Sequence, residues 1–285
     1  MDFDVKNTEQ WNSKLSRIVN SAACFTLAYI FFTYVQWFAM AFAGHRYKFG
    51  SFIYYYGVKF IMSSNWDRGK VTFIYLIAPF TVFIMALVFL FIYASLRRVK
   101  TIVNLFFLWG FVIGTCIFTA QGLMLLLGAY HYDSPYYQHF AVALAWWRAP
   151  KFAIYLLSLL LAAMFFYFAI NYGKPFLVFA YSFAKVNKLT RRRKYFFETA
   201  MVPFVVGAFI TSALTYPMNM SVHGLYLGVI GFALVVTWYT LSYADMLKAD
   251  VLRYKSLQTP SIPLMLTLII VCAVVYVTFR GVFLG

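Results

Sequence analysis

Polar and apolar positions along this chain fall into blocks. Long stretches without Asp, Glu, Lys or Arg alternate with short charged clusters. A hydrocarbon core roughly 30 Å thick is crossed by about 20 residues at 1.5 Å each, so each long stretch can supply a membrane helix. Residues 18–44, 71–96, 101–130 and 152–173 each suit one span, and 256–279 suits another, placed at 260–280. Residues 199–244 are 46 positions without a charged side chain, too many for one helix. That run breaks at Tyr216-Pro217-Met218-Asn219, a turn signature that leaves spans at 199–216 and 222–244. The pattern predicts an all-α, polytopic membrane helix bundle of about seven transmembrane helices, forming a single domain over residues 18–284.

Residues 1–17 carry Asp2, Asp4 and Glu9 and do not read as a cleavable signal. Trp11, Leu15 and Ile18 recur at helical spacing there, which fits an interfacial helix as well as it fits a polar tail. Composition agrees with the span count. At 64% hydrophobic and 11% charged, the chain lies outside soluble composition, where charged residues make up about a quarter.

The formal net charge of +16 would suggest nucleic acid in a soluble protein, but its distribution points elsewhere. Of 24 Lys and Arg, 16 fall in loops on one side of the predicted topology and 8 on the other. The positive-inside rule then places the N-terminus in the cytoplasm and Gly285 outside, although Arg46, Lys48, Lys59, Arg68 and Lys70 in loop one run against the bias. The expected setting is a bacterial inner membrane, with membrane lipids and other membrane protein subunits as partners and no nucleic acid.

Three loops are more than connectors. Loop one holds Phe49 to Met62 with three consecutive tyrosines, a composition suited to an interfacial or re-entrant segment. Loop three gathers Tyr132, Asp133, Tyr136 and Tyr137 on the predicted outer side, the best candidate there for a partner or ligand. Loop four carries Lys185, Lys188, Arg191, Arg192, Arg193 and Lys194, a cluster that would attract anionic headgroups.

Candidate chemistry is sparse. The only glutamates are Glu9 and Glu198, both predicted near the cytoplasmic surface, and no zinc-protease, nucleophile-elbow, P-loop or dinucleotide motif is present. No charged residue falls deep in a span, whereas ion-coupled pathways usually place one there. His45, His131, His139 and His223 map to outer span ends or outer loops, where they are weak candidates for a metal site. No cofactor is expected. Gly110 with Gly114, and Gly224 with Gly228, leave grooves for close helix approach, either within the chain or at a seam between subunits. Asn104, Gln121 and Gln36 are expected to hydrogen-bond between helices.

The order of elements over residues 18–130 resembles the opening of a site-2-protease-like membrane protein. Gly44-His45-Arg46-Tyr47-Lys48 stands where that family ends its first helix in a zinc-binding motif, Phe49 to Met62 where it has a membrane-associated hairpin, and Leu76-Ile77-Ala78-Pro79-Phe80 near the start of its second helix. Arg46 occupies the position of the family's catalytic Glu and Phe49 that of its second His, so the resemblance implies a relative without the zinc-binding motif. The function that follows is a non-enzymatic accessory or scaffold subunit of a larger membrane assembly. The alternatives are a transporter or lipid-handling protein for an apolar or zwitterionic molecule, and a catalytically inactive site-2-protease-like protein.

Overall fold

The computed structural model describes residues 2–54, 57–61, 66–96, 102–180, 186–216, 220–241, 261–278 and 281–284, with side chains from Lys14 onward. The turn at 217–219, residues 242–260 and Lys185 of the basic cluster lie outside the described residues, as does the Trp11 side chain.

The chain is an all-α bundle. Helix α1 (Asp2–Arg46) is followed by strands β1 (Ser51–Tyr54) and β2 (Gly57–Phe60), then α2 (Arg68–Ser95) and α3 (Ile102–Gly128). Next come the short α4 (Phe140–Trp146), α5 (Lys151–Asn171), α6 (Gly173–Leu177) and α7 (Leu189–Phe196). A π-helical turn (Phe197–Met201) joins α7 to α8 (Val202–Thr215), and α9 (Met220–Thr240), α10 (Ile262–Thr278) and β3 (Val282–Leu284) complete the order. Among the described residues, six helical segments are long and apolar enough to cross a membrane, and α10 is a shorter apolar helix of 17 residues. The N-terminal segment is not a separate element, since α1 runs unbroken from it into the first span.

Helix α3 is the axis of the bundle. Buried residues number 20 of its 27, and α1, α2, α4, α5 and α9 all pack on it. The glycine pair predicted for close approach serves this packing. A Cβ at Gly114 would stand 2.6 Å from the Phe32 ring and 2.7 Å from Ala86 Cβ, and one at Gly110 would overlap the Phe89 ring. Gly224 and Gly228 behave differently: a Cβ at either meets nothing within 4 Å, because both lie on the outward face of α9.

Loop one takes a secondary structure that its composition did not specify. Its aromatic run folds as a hairpin, Ser51 pairing with Phe60 and Tyr54 with Gly57. The chain end adds a third strand, Ser51 pairing with Leu284, to give the order β2-β1-β3. Alternate burial along β1 explains the choice, because Ser51 and Ile53 turn inward while Phe52 and Tyr54 turn partly out, a period-two pattern. Ile53 packs with Trp37, Met40 and Ala41 of α1 and Ala78 of α2, so the sheet caps that end of the bundle. This pairing also sets the end of α1 beside the end of α10, since β1 follows the one and β3 the other.

Prolines supply two further features. Pro203 has no N–H to offer the carbonyl four residues earlier, that of Thr199. Ser21 Oγ donates to that carbonyl at 2.6 Å, and Trp109 Nε1 donates to Ser21 Oγ at 2.9 Å. The Thr199 carbonyl before α8 is thus satisfied by α1, with α3 bonded to the same hydroxyl. Pro79 inside α2 likewise leaves the Tyr75 carbonyl without its helical donor.

Candidate functional site

A buried polar cluster lies in the half of the bundle nearer the sheet, where α1, α3, α8, α9 and the segment before α4 meet. Tyr226 of α9 is its centre. Gln36 Nε2 from α1 and Gln121 Nε2 from α3 each donate to the Tyr226 hydroxyl at 3.2 Å. The Gln36 amide also contacts His139 Nε2, joining α1 to the segment before α4. One turn before Tyr226, His223 Nδ1 lies 2.7 Å from the Tyr29 hydroxyl, and its Nε2 lies 3.3 Å from Ser212 Oγ. Each contact joins different helices, which makes the cluster an interhelical clamp. In bilayers such bonds are typically worth about 1 kcal/mol each.

His139 is the constrained member. Its backbone sits at φ 47, a left-handed conformation that a non-glycine residue adopts only when its surroundings enforce it. The side chain is 1% exposed, and its ring is stacked against Trp37 with centroids 6.5 Å apart. Nδ1 lies toward the Tyr75 carbonyl, the one that Pro79 leaves without a donor, but does not complete a hydrogen bond. His139 stands outside the spanning segments, yet burial pulls its imidazole down to about 4, so it is neutral at physiological pH. Trp37 Nε1 and Gln121 Oε1, also buried, have no hydrogen-bond partner among the described residues.

The histidines predicted as weak metal candidates do not converge. His45 and His131 are exposed, while His139 and His223 are held by different partners. Among the described residues no three His, Cys, Asp or Glu side chains gather to hold a metal ion. Of the residues that carry the site-2-protease resemblance, His45 is exposed, Arg46 lies over the Phe73 ring at 5.9 Å, and Phe49 packs on Trp66 with centroids 4.4 Å apart.

Loop three divides into an outer and an inner half. Tyr132 and Asp133 are exposed, whereas Tyr136 packs against the main core and Tyr137 meets Tyr132 edge-on at 5.2 Å. The backbone at Tyr136 presses on Gly128, where a side chain would have no room. The basic cluster of α7 divides in the same way. Lys188 and Arg191 are exposed, but Arg192 Nε donates to the Val186 carbonyl at 2.7 Å and the Arg193 guanidinium lies 4.6 Å from the Trp238 ring centre. Lys194 stands at the rim of a groove against α1.

Asn104 Nδ2 donates to the Leu96 carbonyl at 2.5 Å, tying α3 to the end of α2. Sequence reasoning named Gln36, Gln121, His139 and His223 but missed Tyr226, Tyr29 and Trp37. A signal existed: Tyr29 and Gln36 stand seven apart, and His223 and Tyr226 three apart, so each pair shares one face of its helix.

Comparison with protein-family models, with curated proteins and with solved structures gives no significant match for this chain. The class follows from the fold itself, which is that of an integral, multipass α-helical membrane protein.

Proposed function

We propose that the chain is a non-enzymatic accessory or scaffold subunit of a larger membrane protein assembly. The observation that carries this reading is the packing of α3. A helix with 20 of its 27 residues buried occupies the axis where a permeation path would run, and Gln36 and Gln121 beside it both donate to Tyr226. The outer surface is where the chain has contacts to offer. On α9, Gly224 and Gly228 leave a flat strip beside the exposed Phe232, of the kind that a helix from another subunit approaches closely.

Native purification in mild detergent tests the proposal. A co-purifying membrane protein is expected, and Gly224→Leu with Gly228→Leu should release it while leaving the chain folded, since both positions have room. A monodisperse monomer that retains no partner would overturn the reading. A catalytically inactive site-2-protease-like protein would be a scaffold of the same kind.

A second reading, lipid handling, is favoured by a lateral apolar groove of about 440 Å³ between α3, α5 and α9, lined by Leu123, Tyr155, Leu159, Phe166 and Phe232. Flux of a labelled apolar substrate that is lost in a deletion strain, with no partner recovered, would establish it over the first.

A further inference from the structure

At the end of the bundle away from the sheet, a groove of about 370 Å³ runs between α1 and the α7–α8 junction. Leu15, Ile18, Phe197 and Val202 form its apolar length, and Lys14 and Lys194 stand on its wall. Glu198 also borders it, but Glu198 Oε2 accepts from Arg17 Nη2 at 3.2 Å, so its charge is neutralised on the protein side. Arg17 lies in turn over the Tyr195 ring at 5.4 Å, which fixes the pair in place. Among the described residues, neither Lys14 nor Lys194 meets a carboxylate. Two cations beside an apolar trough, where a span leaves the hydrocarbon, match an amphiphile with a negative head.

We infer that this groove holds one anionic phospholipid of the adjacent leaflet, with its phosphate at Lys14 and Lys194 and an acyl chain along Ile18, Phe197 and Val202. Charge complementarity selects the headgroup, and the apolar length selects a lipid over a free phosphate. The inference does not depend on the subunit reading. It also differs from general attraction by a basic loop, because Arg192 and Arg193 point their charge at Val186 and Trp238.

The test uses the full-length protein in nanodiscs of phosphatidylcholine containing phosphatidylglycerol, with bound lipid read by native mass spectrometry. One phosphatidylglycerol should be retained per chain. Lys14→Ala with Lys194→Ala should weaken retention about thirty-fold, whereas Lys14→Arg with Lys194→Arg should preserve it. Lys188→Ala, which removes an exposed charge that does not line the groove, should alter it by no more than about five-fold, the general attraction of one basic residue for the headgroup layer. Both lysines are at the surface, so an elution profile matching the parent protein reports that the variants fold. Equal retention of phosphatidylcholine, an equal loss in the Lys188 variant, or full competition by glycerol 3-phosphate would each overturn the inference.

Discussion

Ser21 Oγ donates to the Thr199 carbonyl at 2.6 Å, across 178 residues of sequence. The carbonyl is available because Pro203 cannot donate to it, and Ser21 in turn accepts from Trp109 Nε1 at 2.9 Å. Removing the hydroxyl therefore orphans two buried groups at once. Ser21→Ala is expected to destabilise the protein by about 2 to 6 kcal/mol, at about 1 to 3 kcal/mol per unsatisfied group. Thermal unfolding in detergent measures it. Pro203→Ala in the same background should recover part of the loss by restoring an N–H, and additive losses would refute the coupling.

The two glycine pairs predict opposite outcomes for one substitution. Leucine at Gly114 must displace Phe32 or Ala86, an overpacking that costs typically about 1 to 3 kcal/mol and sometimes more. Leucine at Gly224 has open space, and folding should be unchanged. Fluorescence-detected size exclusion of the two variants decides this, and similar profiles would contradict the packing described.

Acid should loosen the segment before α4. His139 is held neutral at about 4 against an ordinary value of 6.5. Between those values the unfolded chain binds a proton that the folded chain does not, so this residue's contribution to stability is present above pH 6.5 and declines as pH falls toward 4. Melting temperature followed over that window should drop more in the parent than in His139→Gln. Parallel curves would show that His139 is not the titrating group.

The strand pairing makes a topological prediction. Because β1 and β3 share a sheet, loop one and the chain end lie on the same side of the membrane, opposite α7. A cysteine introduced at Gly57 and one appended after Gly285 should react alike with a membrane-impermeant maleimide in intact cells, and one at Lys188 should not. Labelling of Lys188 together with Gly57 would rule out the seven-crossing arrangement.

The span boundaries were legible because a membrane helix is specified locally. About 20 apolar residues suffice, whatever lies elsewhere in the chain, and the expected spans at 71–96, 101–130 and 152–173 meet α2, α3 and α5 within three residues at either end. Gln36 and Gln121 could be anticipated as interhelical donors because an amide in hydrocarbon needs a partner. Their shared acceptor, Tyr226, could not be. It lies 190 residues from Gln36 and 105 from Gln121, and only the rotation of α1, α3 and α9 about their axes brings the three together. Rotation and depth are set by packing over the whole bundle. That packing also decided that Gly110 and Gly114 would be filled from inside while Gly224 and Gly228 stayed open, and that Ser51–Tyr54 would be the central strand of a sheet, with Val282–Leu284 near the chain end as its second partner.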